Sequence, residues 1–248
     1  MSLKFVLGAA SQDLQKVLFE DIVTRLKKEP NSQYFYIVPD HIKFESEVNL
    51  LKYLRQAFSQ ITNLYAQNNV QTFSFTRLAW YFMKDQAIFQ RRHLTQDGLA
   101  MVVAHILHGL DAKKLYVFTR EQGKPGFATK LAEQLLELKL GGITPSDLDK
   151  LIVNLPKQNG QNENLRAKLN DLNLVYQEFV EYLKDDYLDS AQVLTALKKY
   201  LETKNLQDSV FIFNGFTHFS ALERDVLSVL FKHCLLYTSD AADESRYV

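Results

Sequence analysis

The sequence predicts an α/β protein, a parallel sheet interrupted by a long all-helical insertion. Three observations predict it. Short apolar strands alternate with amphipathic helices over residues 1–85. From Thr76 to about Lys204 the apolar residues recur at helical spacing and no convincing strand appears. A buried strand, SVFIFNGF (Ser209 to Phe216), then returns and leads into another helix. Strand–helix alternation is the signature of parallel sheets with right-handed crossovers. The expected organisation is a discontinuous sheet domain, 1–85 with 205–233, and a helical insertion over 86–204.

Each element follows from its own pattern. LKFVLG (Leu3 to Gly8) reads as a buried strand ending in glycine. The next helix spans about Ser11 to Lys28, with Leu14, Val17, Leu18, Ile22 and Leu26 on one face and Ser11 as its expected cap. YFYIVP (Tyr34 to Pro39) is the second strand. Asp40 then caps a helix carrying Ile42, Phe44, Val48, Leu51 and Leu54. The third strand is expected over Val70 to Phe75. In the insertion, LAMVVAHIL, FATKLAEQLLELKL and SDLDKLIVNL read as helices, as do about Asn164–Leu183 and Ser190–Leu201. LYVF (Leu115 to Phe118) is the one weak strand candidate there. GKPG near Lys124 and the stretch after Pro156 are loops. The final helix is expected from about Ser220 to Lys232.

Composition narrows the function classes. The chain has 248 residues, 46% hydrophobic and 12% aromatic, enough for a folded core. Its formal net charge of zero makes no demand for nucleic acid or an anionic membrane. No window approaches a membrane span, and the N-terminus lacks a signal pattern, so a cytoplasmic protein with no membrane partner is expected. The single Cys234 excludes an intrachain disulfide and a cysteine metal cluster within this sequence.

The run VQTFSFTRLAWYF (Val70 to Phe82) carries the strongest local signal. Its period switches from two to about 3.6 at Thr76, which sets Phe75, Arg77 and Trp80 at a strand–helix junction. Open parallel sheets bind ligands at such junctions, beyond the carboxyl ends of their strands. An ordinary core helix, with Trp80 buried and Arg77 solvated, is the plain alternative.

The first strand and its glycine stand where a P-loop enzyme holds a triphosphate. That chemistry needs G-x-x-x-x-G-K-[ST]: glycines for close backbone approach, lysine for the phosphates, a hydroxyl for the metal. Counting from Gly8, Asp13, Leu14 and Gln15 occupy the glycine, lysine and hydroxyl places. An acidic side chain there has the wrong sign, and leucine carries no charge. The returning strand ends in FNGF, with Asn214 where a metal-binding aspartate would stand. The expected scaffold is P-loop-type with a degenerate nucleotide site: Gly8, Asp13, Leu14, Gln15 and Asn214.

Four stretches, LKFVLG, YIVPDHIKFE, VQTFSFTRLAW and FIFNGFTHFSALE, resemble the B subunit of bacterial AddAB/RexAB ATP-dependent helicase–nucleases, in particular the RexB type. The resemblance covers residues 1 to about 233. It implies a superfamily 1 helicase plan for the sheet domain and an N-terminal position in a longer subunit. It also implies a heterodimer with an AddA/RexA-type A subunit, acting on single- and double-stranded DNA in break repair, with the B subunit reading the recombination signal Chi. ATP with Mg2+ and a 4Fe-4S cluster are implied only for the complex or full-length subunit; none is expected in this fragment, nor a catalytic residue or metal site. The family pattern Phe-Thr-Arg-Leu-Ala-Trp matches at Phe75, Arg77 and Trp80, which the resemblance makes DNA-binding. Phe216 is a further stacking candidate, or else a core aromatic. Where the family usually carries Gln and Thr, this sequence has His41 and Lys43, a departure that implies a different recognised word or a phosphate contact. Alternatives from other classes are an active P-loop hydrolase or kinase with an atypical site, and a non-catalytic helical scaffold.

Other features carry less. His105 and His108, three apart on a helix, lack an obvious third metal ligand. Arg91, Arg92 and His93 form a short basic cluster after a helix, a candidate stretch of a DNA path, with a solvated loop the simpler reading. The segment 234–248, with LLYTSDAADE like translated adapter sequence, is expected to be a non-native, disordered tail.

Overall fold

The computed structural model describes residues 3–9, 12–58, 68–110, 114–156, 160–233 and 235–242. In chain order, β1 (Leu3–Ala9), α1 (Leu14–Lys28), β2 (Gln33–Ile37), α2 (Lys43–Phe58), β3 (Val70–Phe73) and α3 (Phe75–Met83) form the opening alternation. The helical stretch holds β4 (Arg92–His93), α4 (Gln96–Gly109), α5 (Phe127–Leu140), α6 (Pro145–Asn154), α7 (Gly160–Leu183) and β5 (Tyr187–Leu188). Then come α8 (Ser190–Glu202), β6 (Ser209–Phe213), α9 (Ala221–His233) and β7 (Leu235–Ala242). Five strands form one parallel sheet in the order β1-β7-β6-β2-β3.

The chain divides into two compact units, Met1–Lys84 with Leu194–Val248, and Asp85–Val193. The second boundary falls inside α8, earlier than residue 204. The later part of α8 belongs with the sheet: Lys198 pairs with Asp225 of α9 at 2.8 Å, and the Tyr200 ring lies 6.5 Å from Phe82.

In the sheet unit, Tyr34, Tyr36 and Val38 of the second strand segment bury one face against Leu18, Phe19, Ile22 and Leu26 of α1 and Leu50 and Leu54 of α2. The opposite face holds Phe35, stacked on Phe211 of β6 at 4.9 Å. Because both faces are covered, these strands read as continuous apolar runs rather than alternating ones. The expected cap Ser11 lies outside the described residues. Asp13 caps α1 instead, its carboxylate accepting from the Lys16 amide at 3.1 Å.

Three expectations are corrected. Residues 235–242, expected within a disordered tail, form β7 between β1 and β6 (Leu3↔Leu236, Val210↔Leu235). Ladder hydrogen bonds come from backbone groups, so composition alone did not exclude a strand there. The third strand ends at Phe73 rather than Phe75. The Ser74 hydroxyl, on a buried residue, accepts from the Arg77 amide at 3.4 Å and starts α3 one residue early.

The third correction is LYVF, which is not a strand. The buried Asp171 carboxylate of α7 accepts from the amides of Tyr116 (3.0 Å), Val117 (2.6 Å) and Phe118 (2.8 Å). That seats Leu115 and Phe118 in the core of the helical unit, among Val103, Leu135 and Phe179. Asp171→Ala strips all three amides of their acceptor. Its expected cost is about 3 kcal/mol of unfolding free energy, read by denaturant titration.

The same core holds Tyr176, whose hydroxyl donates to the Ile143 carbonyl at 2.7 Å. Burial, assisted by the Asp189 and Asp147 carboxylates, pushes its pKa up to about 12 from an ordinary 10.0. The unfolded chain therefore loses this proton first as pH rises. Stability is expected to hold below about pH 10 and to fall between pH 10 and 12, with Tyr176→Phe removing that part of the slope in alkaline melts.

Candidate nucleic-acid interface

The carboxyl ends of β2, β3 and β6 lie side by side and are tied by their backbones. The Val38 amide donates to Phe73 at 2.9 Å, and the Asn214 amide donates to Ile37 at 3.0 Å. Each strand leaves this edge by a different turn. After β2, Pro39 leads into a single helical turn, Asp40–Ile42. After β6, Gly215 turns with φ +78°, and a Cβ there would lie 2.6 Å from the Ile42 side chain. Glycine is required at that point both by conformation and by close approach.

The edge has a closed interior. Tyr36 is fully buried, and its hydroxyl accepts from Gln15 Nε2 at 3.3 Å and Asn214 Nδ2 at 2.7 Å. Burial pushes the Tyr36 pKa up, against the pull of the two amide donors, with the Asp13 carboxylate adding slightly. Three expected site positions therefore have structural work here: Asp13 caps α1, and Gln15 and Asn214 converge on one phenol. Gly8 runs close to Gln12 and Leu14, where a Cβ would approach 2.3 Å and 2.6 Å.

The rim is different. Arg77 and Trp80 lie on the outer side of α3, Trp80 47% exposed, with the guanidinium carbon 5.4 Å from the indole centroid. His41 is exposed in the turn after β2. Lys43, half-buried, pairs with Glu47 at 3.4 Å. Phe216 is half-buried, stacked on Phe219 at 4.7 Å.

Phe75, expected as a base-stacking platform, is corrected to a core residue. It is 5% exposed and sits among Phe213, Phe216 and Phe219. The cause is the early start of α3, which turns Phe75 inward with Leu78 and Ala79 and leaves Arg77 and Trp80 outside. Tyr36 and Phe219 escaped the sequence reading. A tyrosine inside an otherwise apolar strand did signal a polar partner, since buried phenols are hydrogen-bonded. The partners, 21 and 178 residues away, carried no signal.

His105 and His108 are exposed on α4. Among the described residues no group of three or more His, Cys, Asp or Glu is arranged to hold a metal ion. No helix among them is long and apolar enough to cross a membrane.

The family described as ADDB, N-terminal, matches residues 5–238. The chain belongs to the ADDB N-terminal family. The match runs past residue 233, into β7. Curated relatives, each named as the B subunit of an ATP-dependent helicase/deoxyribonuclease, include those of Lactiplantibacillus plantarum, 40% identical over 232 residues, and Levilactobacillus brevis, 38% over 231 residues. Another, from Latilactobacillus sakei, is 38% identical over 230 residues. Each alignment covers 93% of this chain and 19% of the relative, so the chain spans about a fifth of their length.

Tested against ATP and Mg2+, the ADDB N-terminal edge does not fit. No lysine stands at position 14 and no hydroxyl at position 15, and both Gln15 and Asn214 are committed to Tyr36. Removing that acceptor leaves two half-buried side-chain amides to re-pair. Tyr36→Phe is expected to cost about 1–2 kcal/mol in denaturant titration without creating nucleotide affinity.

Proposed function

We propose that this chain is the N-terminal region of the B subunit of a heterodimeric, AddAB/RexAB-type helicase–nuclease that processes DNA double-strand breaks. Its sheet unit is a helicase-like domain without a working nucleotide site. Its role is to hold single-stranded DNA along the carboxyl edge and to read the recombination signal there, in the cytoplasm. The A-type partner subunit supplies ATP-driven translocation. ATP, Mg2+ and the iron–sulfur cluster belong to the partner or to other parts of the subunit, since one cysteine cannot hold a four-cysteine cluster.

The observation that carries this reading is the exposed Arg77–Trp80 pair, beside the closed Tyr36 interior. An indole face stacks any base, and an arginine grips a phosphate or guanine's O6/N7 edge. His41 and the exposed part of Phe216 extend the same edge; Lys43, partly held by Glu47, makes at most a phosphate contact. Family membership and the relatives' names supply the biological setting.

In the two-subunit complex, Trp80→Ala is expected to weaken single-strand binding by about 1–3 kcal/mol in fluorescence anisotropy. Arg77→Ala is expected to weaken it and to flatten its salt dependence, and response to the signal falls in both variants. Unchanged binding and signal response in both variants would overturn the reading. ATP turnover by the complex with the A subunit's site disabled would favour a nucleotide hydrolase instead.

A further inference from the structure

We propose that the cleft beside β4 and β5 receives one unstacked nucleotide of a DNA strand: Tyr187 stacks its base, Arg91 and Arg92 hold its phosphate, and Asp185 and Asp186 accept from its exocyclic amino group. The cavity measures about 410 Å³ and is lined by these five residues together with Ala87 and Gln90. It lies wholly within Asp85–Val193 and shares no residue with the carboxyl edge.

The Arg91–His93 cluster, read from sequence as a solvated loop, is built into this wall. Arg92 and His93 pair in parallel with Tyr187 and Leu188, through the Arg92 amide to Asp186 (3.1 Å) and the Leu94 amide to Leu188 (3.2 Å). Arg91 Nη1 donates to the Lys184 carbonyl at 3.0 Å, which fixes that guanidinium at the cleft.

The rings supply the stacking surface. Tyr187 and Tyr182 are stacked, centroids 5.6 Å apart and 11° from coplanar, and His105 continues the row 5.8 Å from Tyr182. Tyr187, with one face against Tyr182, is among the residues that line the cavity.

The charges select the ligand class. Arg92, Asp185 and Asp186 form no ion pair among the described residues, although all line one cleft. A purely anionic ligand would meet the carboxylates, and a purely cationic one the arginines. A nucleotide carries an acceptor-rich phosphate and, on every base except thymine, an amino donor. Every base also offers a π face.

This inference rests on the single-strand reading above, and the test separates the two. The full-length subunit in its complex is titrated with fluorescent oligo(dC) and oligo(dT) of equal length. Arg92→Ala and Tyr187→Ala are expected to raise the oligo(dC) Kd at least about fivefold, and Tyr187→Phe to keep it near wild type. Replacing Asp185 and Asp186 together by Ala is expected to abolish a preference for oligo(dC) over oligo(dT). Arg92 is exposed and tests the cleft even if Tyr187→Ala loosens the β4–β5 pair. Wild-type affinity in Arg92→Ala and Tyr187→Ala, with Arg77→Ala and Trp80→Ala still weakened, overturns this inference alone. No binding of either oligonucleotide by the wild-type complex overturns both. Loss of subunit association with DNA affinity intact makes the cleft a protein interface and also overturns it.

Discussion

The carboxyl edge depends on one buried phenol. A tyrosine hydroxyl taken fully out of water has to be hydrogen-bonded, and Tyr36 meets that demand with amides from α1 and from the turn after β6. Those contacts bind the start of the first helix to the ends of β2 and β6. They also use the space and the side chains that a phosphate-binding loop would need for itself. With the interior closed, what the edge offers solvent is its rim. The Ser74 cap and the Gly215–Ile42 contact hold that rim at fixed positions.

The helical unit relies on a related device. Its buried carboxylates are each satisfied several times over. Asp171 takes three amides from one loop. Asp189 caps α8 through the Gln192 amide at 2.9 Å and also receives the Lys139 ammonium, which lies 5.8 Å from the Phe179 ring centroid. A carboxylate held this way fixes a loop or a helix start more specifically than apolar packing alone, and it is tolerable in a core only while every partner stays in place.

Much of this was legible where the physics is local. The β1–α1–β2–α2–β3 alternation, the returning β6 and the long helices follow from apolar period and from turn residues near in sequence. What escaped is non-local. LYVF has the composition of a strand, yet its amides are claimed by a carboxylate more than fifty residues away. The place of β7 between β1 and β6 is a matter of backbone pairing, to which adapter-like composition is no guide. Phe75 shows how little separates rim from core: starting α3 one residue earlier puts Phe75 on the buried side with Leu78 and Ala79, while Arg77 and Trp80 stay outside. At the candidate site, Arg77 and Trp80 were legible as a pair at a strand–helix junction, with burial of Trp80 left open. The phenol behind them was not, because its two partners, Gln15 and Asn214, lie far from it in sequence.

A net charge of zero is the remaining constraint on how such a protein would meet DNA in the proposed role. Strongly basic proteins gain affinity from counterion release over many phosphates, and that affinity collapses with salt. This chain has no such surplus. Any grip it has on a single strand must come from a few placed cations and from aromatic faces, whose stacking depends little on ionic strength. The Arg77–Trp80 pair matches that requirement, since it sets a cation directly beside an exposed ring. Contacts of this kind are weak singly, and their stacking part depends little on salt. In the proposed role they suit a surface over which a strand slides until a particular run of bases arrests it.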